Sequence, residues 1–161
     1  MAALTMELGR FVSNLTLSEV PKEAQAVAKT GFTDCFGVMI AGSREPVVPL
    51  VDRELAGADG SSLASLIPSG QRRNVEDAAL VNGVAAHVLD YDDVTLDGHP
   101  SAVLVPAILA QGEALGSSGA DMLAASEDIE TMAAVVGLLG LDDLERGLAV
   151  ARVSGELATA S

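Results

Sequence analysis

Helix packed on helix, with at most one short β-hairpin, is the fold class this sequence predicts: an all-α, multi-helix, bundle-like domain. Three observations predict it. Apolar residues recur at helical spacing in one segment after another, as Leu4, Leu8, Phe11 and Leu15 do at the start. Pro21, Pro46 and Pro100 stand where helices can begin, and Gly42 and Gly116 where they can end. Alanine, leucine, valine and glycine dominate, while aromatic residues make up only 2%. Small residues favour close helix packing, whereas a β-sandwich wants more aromatic and β-branched side chains. A length of 161 residues suits one domain with a real core, so residues 1–161 are read as a single helical domain.

Taken in order, the first amphipathic helix stops near Asn14 to Thr16. Pro21 then opens a second, with Glu23 in its first turn and Ala24, Val27, Ala28, Phe32, Cys35, Phe36, Met39 and Ile40 along it, ending at Ala41-Gly42. Gly31 and Gly37 lie inside this helix, each costing up to about 1 kcal/mol of propensity. They are expected to permit close approach of another helix. Pro46 and Pro49 open a short third helix through Leu55, and Gly57 to Ser62 forms a loop. Leu63 to Ile67, bounded by Pro68 and Gly70, reads as one strand of a small hairpin. Asn74 can cap the next helix, with Glu76 and Asp77 favourably placed at its N-terminal dipole. Pro100 starts another, which Pro106 should kink or confine to its first turns. Gly116 to Gly119 closes it and Asp121 begins the next. Met132 to Leu141 is a compact apolar run, and Asp142 and Asp143 start a last helix reaching Val153.

A net charge of −14 argues against nucleic acid or an anionic membrane as partner, since both need a basic surface. Cys35 is the lone cysteine, so no internal disulfide can form and a reducing, cytoplasmic setting is expected. Among Phe32, Phe36 and Met39 it reads as a buried structural thiol. The N-terminus shows no basic-then-apolar signal pattern, and apolar runs such as Ala78 to Leu89 are too short to span a bilayer.

The most informative stretch runs from Asp77 to Ser101. An apolar helix leads into Asp90, Asp92, Asp93, Asp97 and His99 before Pro100 restarts a helix. Clustered carboxylates between two buried helices repel one another and cost desolvation energy, so folding gains nothing from them. Such a junction is where a proton-transfer site would be built. The bland readings are specific: His99 caps the incoming helix or binds Asp97, Asp92 and Asp93 hold backbone donors as loop and cap residues, and His87 is a buried packing residue. Asn82-Gly83, between helical periods, reads as a close helix crossing. A metal is not expected, because the spacing lacks the central glycine and terminal glutamate of an EF-hand loop.

Several blocks in order carry a family resemblance: Ala28-Lys29, Asp34 to Gly37 and Ala41 to Pro46; then Ala78 to Gly83, Ala86-His87 and Leu89 to Asp93; then His99-Pro100-Ser101, Pro106-Ala107, Leu109-Ala110, Glu113 and Gly116 to Gly119. Together they resemble the MmgE/PrpD family, which includes 2-methylcitrate dehydratase, cis-aconitate decarboxylase and iminodisuccinate epimerase. The resemblance runs from about Leu4 to Ala125. It then jumps near residues 126–132 to a later family helix, at Leu138 to Asp142 and Leu148 to Ala151, as an internal deletion would make it. The chain is thus expected to be an N-terminal portion, without the lysine-bearing segment of full-length members.

The resemblance implies a lyase or isomerase of a small di- or tricarboxylic acid, with no metal or organic cofactor, built as a dimer through its helical domain. It implies Asp90 and His99 as catalytic residues, with Thr95 and Asp93 as candidates for binding substrate. Removing a proton or carboxylate beside another carboxylate needs an acid–base group and stabilisation of negative charge. A non-catalytic helical module docking onto another chain is the rival reading.

Overall fold

The structure, a computed structural model, describes residue 10 and residues 14–55, 62–94 and 98–126. The expected first helix lies mostly outside them, although Arg10 and Asn14 are helical. The segments from Met132 to Val153 and the residues Thr95 and Asp97 also lie outside. What is described is mostly α: α1 (Lys22–Gly42), α2 (Val47–Leu55), a hairpin of β1 (Ala64–Ser65) and β2 (Arg72–Arg73), α3 (Val75–His87) and α4 (Pro100–Leu115), with residues 119–126 helical after it.

Local chemistry sets these boundaries. Pro21 precedes α1, whose N-terminus is tied down by buried Gln25: its amide donates to the carbonyls of Leu17 (2.7 Å) and Val20 (2.9 Å). The Asn74 side chain caps α3 by accepting from the Asp77 backbone N–H at 2.8 Å. Gly116 ends α4 in the left-handed region, at φ 68°, which a residue without Cβ adopts freely. Ser118 and Asp121 then cap residues 119–126 reciprocally. The strands pair antiparallel, Ala64 opposite Arg73 and Ser65 opposite Arg72.

α3 carries apolar residues on every side and packs against α4, α1 and α2, so it is the central element. One side closes a cluster of Val48, Ala64, Leu66, Ala78, Val81, Ala85 and Ala110. The other meets Cys35, Val38, Met39, Ala102 and Val105 through Ala86. Both clusters are made largely of small side chains, so the helix axes must lie close for contact to form.

The close approaches do not all fall where the sequence puts them. Gly83 does lie at a crossing, where a Cβ would sit 3.4 Å from the Ala102 carbonyl oxygen. Gly31 similarly faces the Ser101 hydroxyl, whereas Gly37 has open space around it and permits no crossing. The tightest contact is at Gly42, where a Cβ would run into the Ala85 carbonyl and come within 2.8 Å of Val88 Cγ1. Of the two effects expected of Pro106, confining the helix to its first turns is not what it does. It lies buried inside α4, yet the helix continues for more than two turns to Leu115.

Asn82 joins the hairpin to the core. This residue, only 2% exposed, accepts from the Ile67 N–H (2.9 Å) and donates to the Ser65 carbonyl (2.9 Å). Arg72 pairs with Glu113 of α4 and Arg73 with Asp52 of α2 (2.8 Å), so the two strand arginines are committed to holding the hairpin in place. Burial raises the Glu113 carboxyl, but hydrogen bonds from Ser65 and the Arg72 charge outweigh it and leave the group below its ordinary range.

Candidate functional site

α3 ends at His87, and the chain turns at once, with the Asp90 N–H donating to the His87 carbonyl at 2.9 Å. Asp90 takes φ 54°, a left-handed conformation that aspartate tolerates better than most residues. This turn folds Asp92 back beneath the end of α3, where its carboxylate is fully buried. His87 Nδ1 lies 3.0 and 3.2 Å from the two Asp92 oxygens. A carboxylate only accepts, so the proton of this hydrogen bond sits on Nδ1. The His87 side chain is 55% exposed. It is therefore not the buried packing residue its apolar neighbours suggest.

On the other side of the junction, Asp93 fixes the start of α4. Its two oxygens accept from the Ser101 backbone N–H (3.1 Å) and hydroxyl (2.8 Å). His99 occupies the N-cap position but makes no capping hydrogen bond, because Asp93 already serves that turn. Its ring instead faces the acids. Nδ1 lies 3.2 Å from Asp92 Oδ2 without hydrogen-bonding geometry and is buried without a partner among the described residues; Nε2 lies 3.6 Å from Asp90 Oδ1. The two imidazoles meet edge to face, with centroids 4.5 Å apart.

Of the four site candidates, the structure thus brings Asp90 and His99 together, spends the Asp93 oxygens on Ser101, and leaves Thr95 outside the described residues. It adds Asp92 and His87. The pairing of His87 with Asp92 has a faint sequence signal, an imidazole at a helix end five residues before an acid, but the turn that joins them depends on the conformation of Asp90. Each of His87, Asp90, Asp92 and His99 offers a ligand atom within 4.8 Å of the others. That donor set suits a first-row divalent ion, which would displace the hydrogen bond between His87 and Asp92.

The site adjoins the buried face of α1. The Cys35 thiol donates to the Ser101 carbonyl at 3.4 Å. Burial, with the charges of Asp93, Asp92 and Asp34 adding to it, pushes that thiol up to about 12, so it is no nucleophile at neutral pH.

The acid-rich turn between two helices, closed by a histidine and a proline, lies inside the stretch that a known family matches. Residues 6–127 match the MmgE/PrpD N-terminal domain. The chain belongs to the MmgE/PrpD family. The match takes in every described element from α1 to α4, together with the Asp90 to Ser101 junction. No curated protein matches this MmgE/PrpD chain at a significant level. No helix among the described residues is long and apolar enough to cross a membrane.

Proposed function

We propose that the chain carries the acid–base side of a lyase or isomerase site for a small di- or tricarboxylic acid, with Asp90 and His99 as its proton-transfer pair. The observation that supports this reading most is the approach of His99 Nε2 to Asp90 Oδ1, 3.6 Å, at the open edge of the cluster, where the Asp90 side chain is 80% exposed. A substrate can reach that edge. In elimination from a hydroxy acid, a base takes the proton beside a carboxylate and an acid protonates the departing hydroxyl. An imidazole and a carboxylate side by side can divide those tasks, and proton transfer of this kind contributes about 10²–10⁴-fold. Thr95 falls within the junction in sequence and is the candidate hydroxyl for holding substrate. Carboxylate groups on the substrate need cations, which residues beyond the described junction or a second copy must supply. A cytoplasmic homodimer is the setting this reading implies.

A second reading has its own observation. Arg72 and Arg73 are both engaged with Glu113 and Asp52, so neither is available to a polyanionic substrate. Val27, Leu80, Val103 and Leu115 are meanwhile large, apolar and more than half exposed. A non-catalytic helical module that functions in an assembly fits both facts.

Turnover of the purified chain with 2-methylcitrate and with cis-aconitate, beside His99→Ala, separates the two. Activity that falls at least 100-fold in the variant supports the catalytic reading. A helical, folded chain without turnover on either substrate overturns it in favour of the assembly module.

A further inference from the structure

Among the described residues, Asp92 is a fully buried carboxylate whose polar neighbours are two imidazoles and no lysine, arginine or hydroxyl. We infer that Asp92 is the positioning residue of the junction: it holds Nδ1 of His87 by a hydrogen bond, with Nδ1 of His99 beside the same carboxylate, and so leaves the Nε2 of His87 to face outward. For His87 the geometry is complete, since Nδ1 reaches both carboxylate oxygens at hydrogen-bond distance. Nε2 of that ring has no hydrogen-bond partner among the described residues, and the side chain is more than half exposed. The neutral ring therefore carries its proton on Nδ1 and presents Nε2 as a bare, solvent-facing base. For His99 the same carboxylate lies 3.2 Å from Nδ1, while Nε2 points to Asp90.

A buried carboxylate that fixes an imidazole's tautomer and orientation is a recurrent way of preparing the ring for proton transfer, and the carboxylate itself keeps its charge throughout. His87 becomes the second acid–base group of the junction on this account, which rests on the proposed function. The orientation itself does not. The covalent turn between the ring and its carboxylate is short, and the hydrogen bond from the Asp90 N–H to the His87 carbonyl closes it, so the arrangement belongs to this chain alone.

The test reads the tautomer directly, in the substrate-free full chain. Two-bond ¹⁵N–¹H correlation spectra, recorded at a pH where the rings are neutral, distinguish protonated from bare nitrogens. In wild type, the expected result is His87 with its proton on Nδ1. In Asp92→Leu, which removes the acceptor, the assignment of the two nitrogens is expected to reverse to the Nε2-protonated form that exposed imidazoles prefer. Wild-type His87 found with its proton on Nε2 overturns the inference, whatever the variant does. An unchanged tautomer in a folded Asp92→Leu protein overturns it too. Neither result depends on turnover, so failure of the orientation and failure of the lyase reading are told apart.

Discussion

Two buried polar side chains, at the middle and just past the end of the same central helix, are treated in opposite ways. Asn82 is 2% exposed and satisfied by the backbone, with oxygen and nitrogen each bonded to the hairpin. Asp92 is 5% exposed and, among the described residues, is met only by imidazoles, one of them without a formed hydrogen bond. Backbone partners carry no acid–base chemistry, whereas an imidazole can both give and accept a proton. A polar group satisfied by fixed partners serves stability; one left to acid–base partners is suited to moving protons.

That contrast predicts unequal costs. Asn82→Leu leaves the Ile67 N–H and the Ser65 carbonyl buried without partners, so it should lower unfolding stability by about 3 kcal/mol, seen as a fall in the urea midpoint. Gly42→Ala forces a methyl group into the Ala85 carbonyl and Val88. It should cost about 2 kcal/mol and, by displacing the end of α3, also disturb the chemical shifts of the His87 ring. Asp93→Ala removes the acceptor for Ser101 at the start of α4 and should cost about 1 kcal/mol, with thermal unfolding as the measurement. Asp92→Leu, by contrast, removes an acid whose hydrogen-bonded partner, the His87 ring, is half exposed and can turn to water, so it should cost less than Asn82→Leu, about 1 kcal/mol. A loss at Asp92 as large as that at Asn82 would break the comparison.

A weaker effect follows from the hairpin. Glu113 has a carboxyl group held below its ordinary range in the folded chain, so its contribution is present above the unfolded value and disappears as pH falls through the folded one. Glu113→Gln should therefore lower the neutral plateau slightly, leave stability at the acid end nearly unchanged and so flatten the acid limb, which thermal melts across a pH series would show.

Local signals made much of this fold legible. Pro21, Asn74, Pro100 and Gly116 announce helix ends through properties that need no distant partner, and the hairpin between Leu63 and Asn74 carries its own proline and glycine between its strands. Long-range facts were harder to read. Gly42 is the tight crossing because Ala85 and Val88 come to it from elsewhere in the chain, and Gly37 is not because nothing does. The site shows the same division. Asp90 and His99 stand out in the sequence as an acid and a base in an unusual junction. His87 does not, because its exposure and its pairing with Asp92 arise only after the left-handed turn at Asp90 reverses the chain.

The Cys35 thiol, shut between α1 and α4 against the Ser101 carbonyl, places a built-in reporter on the seam beside the junction. Alkylation must wait until those helices separate and the thiolate can form, so its rate under native conditions counts openings rather than surface encounters. A ligand that binds across the junction and tightens the seam would slow this clock even if it were never turned over. The protein thus signals occupancy through its single thiol, with no label attached.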